Sequence, residues 1–326
     1  MIMETIIITG GCGYIGSHVV IECAKTYNIV IVDNLSNSYI EIYNKIKEQY
    51  ANVRLIQEDL CNDISKLYDE LYDVNIKCVI HLAAKKYVKE SVENPLMYYS
   101  NNINSLNNLL QLMTLLNCNN LIFSSSCTVY GNTKNVPIKE SEPFSSCSPY
   151  GFTKVINEEI LQNYCKFNRN FKCVSLRYFN PIGSHNGFQE NAKYTFPQNL
   201  MPNLLKAVDD NDYVFKIYGN EYDTHDGTPV RDYIHVKDLA NAHKCVLDDL
   251  EVIKNYETFN IGTGIGYSVL DVIKTMECVT GKNISRMLAE PREGDADCVY
   301  ADTSKIQTVL NWKSKYSLED MCIHSI

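Results

Sequence analysis

No Cys-x-x-Cys pair occurs anywhere in the 326 residues, although the chain carries 13 cysteines. An odd count in a long chain without paired spacing reads as reduced thiols rather than a disulfide framework. Cys78 and Cys173 sit inside apolar runs, where a thiol behaves as a small hydrophobe. The seven histidines form no His-x-x-x-His pair and no mixed cluster of zinc-ligand spacing, so no metal is expected. No apolar run approaches the roughly 20 residues a membrane-spanning helix needs. Met1 to Thr9 also lacks the basic flank and cleavage site of a secretory leader. The expectation is a cytoplasmic protein with no membrane partner. Basic charge is scarce too, and the formal net charge of −9 argues against a nucleic-acid groove. It leaves room for a small diphosphate ligand, because a few local arginines suffice for one. There is no internal repeat.

What is present has a clear rhythm. Thr5–Thr9, Asn28–Asp33, Val53–Gln57, Cys78–Leu82, Asn120–Ser124 and Lys172–Arg177 are β-branched-rich runs bounded by polar residues or glycine. Segments of helical period separate them, including Ile15–Thr26, Met97–Leu116 and Pro149–Phe167. Strands alternating with helices imply right-handed crossovers and a parallel sheet. The expected fold class is therefore α/β, a doubly wound Rossmann sheet over residues 1–182. Beyond Pro181 the rhythm breaks, and Gly183–Thr195 reads as a polar loop. Residues 183–326 are expected to form a smaller mixed α/β substrate lobe, with part of 226–250 packing back on the first domain.

The first strand runs into Thr9-Gly10-Gly11-Cys12-Gly13-Tyr14-Ile15-Gly16, which opens a helix. Gly10, Gly13 and Gly16 supply a tight turn, close approach of backbone to phosphate, and close helix–strand packing. The helix N-terminus then directs free N–H groups at an anion. Three spaced glycines alone mark only a turn, but Asp33 ends the second strand, 17 residues after Gly16. A carboxylate there accepts from ribose hydroxyls and repels a 2′-phosphate, which favours NAD over NADP. Asp59, after the third strand, reads either as an adenine contact or as a loop acid.

Tyr150 and Lys154 stand at i and i+4 behind Ser148-Pro149, a helix-start pair, so they share one helix face. An ammonium beside a phenol favours the phenolate and is expected to pull Tyr150 below its ordinary pKa of about 10. Tyr-x-x-x-Lys also occurs at Tyr43/Lys47, Tyr130/Lys134 and Tyr233/Lys237. Those three read as surface coincidences. Only Tyr150 joins a helix start to a serine cluster, Ser124-Ser125-Ser126, at the carboxyl end of the preceding strand, where ligands of open parallel sheets lie.

On these residues the chain resembles the extended short-chain dehydrogenase/reductase superfamily and, within it, the UDP-galactose (UDP-glucose) 4-epimerases. The matching pieces are TGGCGYIGSH from Thr9, VDNLSNS from Val32, SSSCTVYG from Ser124, SPYGFTK from Ser148, LRYFNPIG from Leu176, PQNLMP from Pro197, DGTPVRDYIHVKDLA from Asp226 and PREGD from Pro291. The resemblance implies a catalytic trio of Ser126, Tyr150 and Lys154 and reversible epimerisation at carbon 4 through a transient 4-keto sugar with bound NAD. It places Lys86 near the nicotinamide ribose. Asn101, Tyr14, Ile15, Asn34, Asn37, Asp59, Leu60 and Tyr178 fall on further cofactor positions. For a UDP-hexose it implies Phe179, Asn180, Asn199, Leu200 and Tyr218, with Tyr178 again beside them. Arg231 and Arg292 would clamp the diphosphate as guanidinium forks, and Asp295 would hold a ribose hydroxyl. It also implies a homodimer through helices of the first domain, Met97–Leu116 among them.

Related 4,6-dehydratases carry an Asp-Glu pair beside the catalytic hydroxyl, where this chain has Cys127 and Thr128. Elimination is therefore disfavoured. Ala84, Lys85 and Lys89 depart from the family pattern after His81, and Phe152 stands where a basic residue is common. The chain ends at Ile326, which would curtail the family's final helical tail. Val299 occupies a place where tyrosine narrows the sugar pocket, extending the expectation to N-acetylated UDP-sugars. The rival readings are a 4-epimerase of another UDP-sugar and a non-catalytic dinucleotide sensor.

Overall fold

The computed structural model describes residues 3–185, 188, 199–292 and 294–326. Much of the expected loop Gly183–Thr195, and Pro197 and Gln198 of the PQNLMP motif, lie outside the described residues. In chain order the strands are β1 Thr5–Thr9, β2 Asn28–Val32, β3 Val53–Ile56, β4 Ile76–His81, β5 Asn120–Ser126, β6 Lys172–Tyr178, β7 Asn180–Ile182, β8 Phe215–Tyr218, β9 Val230–His235, β10 Tyr256–Ile261, β11 Gly266–Ser268, β12 Arg286–Ala289 and β13 Cys298–Val299. The helices are α1 Tyr14–Ala24, α2 Ile40–Gln49, α3 Ser65–Leu71, α4 Val88–Glu93, α5 Pro95–Leu115, α6 Pro149–Phe167, α7 Leu200–Asp209, α8 Val236–Asp248, α9 Val269–Thr280, α10 Ser304–Leu310 and α11 Leu318–Ile323.

Two compact units share the chain. Unit 1 comprises Met1–Gly131, Phe144–Arg177 and Ala240–Phe259. Its seven-stranded sheet has the order β10-β6-β5-β4-β1-β2-β3. The β3-β2, β2-β1, β1-β4 and β4-β5 pairings are all parallel. Ile6, Ile7 and Ile8 on β1 are buried on both faces of the sheet, each worth about 1.5–3 kcal/mol of removed apolar surface. Leu106, Leu109 and Met113 of α5 and Leu161 of α6 pack into the same core. The doubly wound α/β class expected from the sequence is thus the class observed. The strand order reverses between β1 and β4, and the crevice outside their carboxyl ends is the ligand position of such sheets.

The sheet differs from the sequence reading in one strand. Six were read, but β10 is a seventh at the edge of the sheet. Its segment, Tyr-Glu-Thr-Phe-Asn-Ile, mixes polar with apolar residues, as an edge strand can, and so lacks the β-branched run that marked the others. In addition β5 extends through Ser126, so the serine cluster belongs to the strand itself.

Unit 2 comprises Asn132–Pro143, Tyr178–Leu239 and Asn260–Ile326. β9 pairs antiparallel with β11 and parallel with β13 and β7, while β12 pairs parallel with β8. Leu204, Leu205, Ile217, Val272, Met276 and Met321 form its core. Asp232 on β9 is fully buried, and its carboxylate accepts backbone N–H bonds from Thr263, Gly264 and Ala301. That carboxylate ties two chain segments to one strand. Among the described residues, no helix is long and apolar enough to cross a membrane.

Candidate active site

The glycine turn follows β1 at the switch point. Gly10 has φ +69°, and a Cβ there would lie 2.8 Å from the Ala83 backbone nitrogen. A Cβ on Gly16 would sit 2.0 Å from the Gly10 carbonyl oxygen. Both positions therefore require glycine for the protein's own packing. Gly13 is different. Its φ of −73° suits any residue, and only the Gly10 carbonyl, at 3.3 Å, lies near a Cβ built there. No side chain caps the first turn of α1, which begins at Tyr14, Ile15 and Gly16. A side-chain-free position that the fold does not demand, beside an uncapped helix start, fits a pyrophosphate.

The acid after β2 is fixed beside that turn. Asp33 is buried, accepts the Cys12 N–H at 3.0 Å, and also accepts from Leu35 N–H and the Ser38 hydroxyl. Asn34 donates to Asp59 at 2.8 Å, and Cys61 N–H donates to the other oxygen, so these bonds hold the Asp59 carboxyl below its ordinary range. Leu60 is buried, and its carbonyl accepts from Asn108; Asn37 is exposed. Asn101 contacts the Cys61 sulfur at 3.4 Å. Lys86 is partly buried, which pushes its ammonium down to about 7.

At the end of β5, Ser126 Oγ accepts from Thr128 N–H at 3.2 Å and from Thr128 Oγ1 at 3.0 Å. With its lone pairs engaged, its own proton is directed outward, and a hydrogen bond from Ser126 favours the Tyr150 phenolate. Ser148 caps α6 by accepting the Gly151 N–H, which sets Tyr150 on its first turn. Lys154 is 3% exposed; its Nζ donates to the Ser124 carbonyl at 2.6 Å and lies 5.9 Å from the centre of the Tyr150 ring. The structure thus brings Ser126, Tyr150 and Lys154 together.

The titration differs from the sequence expectation. Burial pushes Tyr150 up to about 12, outweighing the Ser126 bond, and pushes Lys154 down to about 7. Here desolvation disfavours the charge on both groups and outweighs the lowering that was expected of the lysine. Two of the other Tyr/Lys pairs are also not surface coincidences. Tyr130 is fully buried and accepts from Arg177, and Tyr233 is buried on β9.

In unit 2, Arg231 on β9 forms an ion pair with Asp295. Asp295 closes a turn by donating its N–H to the Arg292 carbonyl. The Arg292 guanidinium stacks 4.1 Å from the centre of the Tyr218 ring. Val299, 9% exposed on β13, stands in register with Arg231. The structure therefore gathers Arg231, Asp295 and Val299, and separately pairs Arg292 with Tyr218. Tyr178 and Phe179 are buried, and Asn180 donates to the Asp232 carbonyl at 3.0 Å. Asn199 is exposed at the start of α7, and Leu200 is that helix's first residue.

The family model described as GDP-mannose 4,6 dehydratase matches residues 7–324. UDP-glucose 4-epimerase of Cyamopsis tetragonoloba is 42% identical over 329 residues, covering 99% of this chain and 94% of that protein. The chain belongs to the UDP-glucose 4-epimerase family. A structure of UDP-glucose 4-epimerase from Stenotrophomonas maltophila, with bound NAD and formylated UDP-arabinopyranose, is similar at TM-score 0.92. Its identity is 35%, over 99% of this chain and 96% of that one. A Bifidobacterium longum enzyme in complex with NAD+ and UDP gives TM-score 0.90 and 38% identity, over 99% and 97%.

Within the epimerase family frame, the structure adds residues that sequence reasoning passed over. Thr128, noted only for not being an acid, orients Ser126; the Ser-x-Thr spacing at a turn start was its available signal. Asn102 donates to the Lys85 carbonyl and accepts the Lys85 N–H, clamping the departure segment Ala84-Lys85-Lys86 to α5. Phe152 is exposed and meets the Tyr99 ring.

Proposed function

We propose that this protein interconverts UDP-galactose and UDP-glucose by inverting carbon 4, using tightly held NAD. The observation that carries the reading is the trio itself: a serine oriented by Thr128, a tyrosine within its reach, and a buried lysine on the same helix face. NAD fits unit 1 through the open Gly13 position, the uncapped α1 start and the Asp33 carboxylate. When bound it supplies a hydride acceptor that can return the hydride, so no outside redox partner is needed.

Tyr150 Oη takes the proton of the sugar's 4-hydroxyl and gives it back on the return half. Ser126 donates to the same substrate oxygen, and Lys154 supplies positive charge that offsets the phenolate. Because Tyr150 is raised by its surroundings, positive charge contributed by Lys154 and by ligands must supply the missing stabilisation. Arg231 and Arg292 hold the diphosphate, Asp295 and Tyr218 the uridine, and Phe179, Asn180, Asn199 and Leu200 flank the nucleotide sugar. Cys127 and Thr128 offer no acid to expel water from a keto intermediate, which favours epimerisation over dehydration.

The test is conversion of UDP-galactose to UDP-glucose without added NAD, followed by NMR or chromatography. A 4-keto-6-deoxy product, or no conversion, would overturn the reading. We further infer a cytoplasmic homodimer. Leu96, Met97 and Phe152 leave apolar surface on α5 and α6, and light scattering of the purified protein decides the assembly.

A further inference from the structure

Unit 1 holds a buried ion pair that the chemistry above does not use. Glu158, fully buried, lies one helical turn beyond Lys154 on α6. Arg177 on β6 grips it twice, Nε donating to Oε1 at 2.9 Å and Nη2 to Oε2 at 2.7 Å. The Ser125 hydroxyl on β5 donates to Oε1, and the Tyr256 hydroxyl on β10 donates to Oε2 at 3.2 Å. One carboxylate thus fastens α6 to three neighbouring strands. Arg177 also reaches forward, Nη1 donating to Tyr130 Oη at 2.9 Å on the turn that follows Ser126.

A buried ion pair is weak ground for stability, since apolar residues of similar volume often serve as well. Apolar residues cannot, however, hold the Ser125 hydroxyl. Ser125 lies between the carbonyl that binds Lys154 and the hydroxyl that faces Tyr150. Fixing it fixes both neighbours against the helix that carries the other two members of the trio. We propose that Glu158 is a positioning residue for carbon-4 epimerisation: its carboxylate locks the Ser124–Ser126 strand end to the Tyr150–Lys154 helix face and sets a negative charge one turn from the Lys154 ammonium. This rests on the epimerase reading.

The charges around the pair are few. His81 on β4 faces Lys154, but burial holds it near 3, so it is neutral. Cys173 on β6 faces Glu158 as a thiol pushed well above its ordinary value, and Tyr256 on β10 is likewise raised. The Tyr130 hydroxyl meets Arg177, and Cys127 lies beside Tyr150. The charges that meet there are the Arg177–Glu158 ion pair and the Lys154 ammonium, held near 7. Burial pushes Lys154 down and Glu158 pushes it back up. Without the carboxylate Lys154 loses its proton at lower pH, so less positive charge stands beside the forming phenolate at neutral pH.

Glu158→Gln keeps the shape and removes the charge. Glu158→Gln with Arg177→Met also removes the stranded guanidinium, and decides the matter if the single variant fails to fold. Two readouts are taken on NAD-loaded protein: the pH profile of kcat with UDP-galactose, and the melting temperature. Both variants should keep NAD and lose roughly tenfold or more in kcat at neutral pH. The limb of kcat on which Lys154 loses its proton should move down by about one pH unit. A folded variant whose pH profile stays in place, with only its melting temperature lowered, overturns the role of Glu158. An inactive wild-type chain would instead overturn the epimerase reading itself.

Discussion

The Ser126–Tyr150–Lys154 corner of unit 1 and the Arg231–Asp295 corner of unit 2 handle charge in opposite ways. In the first, Lys154 is 3% exposed and Glu158 0%, and each hydroxyl and carboxylate oxygen is committed to a named partner. In the second, the side chains of Arg231 and Asp295 stay 17% and 29% exposed, and Arg292 lies at the surface on the Tyr218 ring. Burial pushes Tyr150 up and Lys154 down, because little water remains to screen them. Such a corner suits proton transfer, where a fixed and unusual ionisation state is the working property. The second suits capture of a charged, hydrated ligand, since exchanging water for a diphosphate requires arginines that water can still reach.

The sharpest way to break this comparison is at the phenol. Tyr150→Phe should lower kcat by about 10²–10⁴ while bound NAD, measured by release on denaturation, stays at wild-type content. Loss of NAD along with turnover would mean that the residue serves binding rather than proton transfer.

Lys154→Met probes what the chemistry costs the fold. A lysine held near 7 in the folded chain and near its ordinary 10.5 when unfolded binds fewer protons folded than unfolded between those values. Wild-type stability must therefore rise with pH through that window. At pH 7 the methionine variant should be more stable by about 2–4 kcal/mol, though inactive, and the gap should shrink toward pH 10. Melting curves at pH 7 and 9.5 measure it, and a pH-independent gap would contradict the burial account.

At the exposed corner, Arg231→Met should raise KM for UDP-galactose roughly ten- to hundredfold with a smaller change in kcat. A fall in kcat with unchanged KM would place Arg231 with the reacting groups instead. The smallest effect is expected at Val299. Val299→Tyr should leave UDP-galactose turnover within about threefold and reduce any UDP-GalNAc turnover by about tenfold, if the position bounds the sugar. Equal losses on both substrates would indicate overpacking of β13 and not selection.

The two corners also differed in how readily the sequence disclosed them. The glycine turn, Asp33 and the Ser148-Pro149 helix start are local signals, because each states a backbone geometry within a few residues. Tyr150 could be chosen from four Tyr/Lys pairs by that context alone. Its ionisation could not be read, since desolvation depends on what packs around Lys154 from β4 and β5. Nor could Glu158, whose partners Ser125, Arg177 and Tyr256 lie 33, 19 and 98 residues away. β10 escaped for a related reason: an edge strand meets a neighbour on one side only and needs no continuous apolar run.

The position of β10 in the chain has a consequence for synthesis. Unit 1 cannot close its sheet when Tyr178 has been made, because the strand that covers β6 and brings Tyr256 to Glu158 is translated some eighty residues later. Until then β6 presents an open edge, and Glu158 lacks one of its partners. A fragment ending near residue 182 should expose that edge and self-associate, while one carried through Ile261 should not. Completion of the catalytic corner is thereby timed to the emergence of about half of unit 2 from the ribosome.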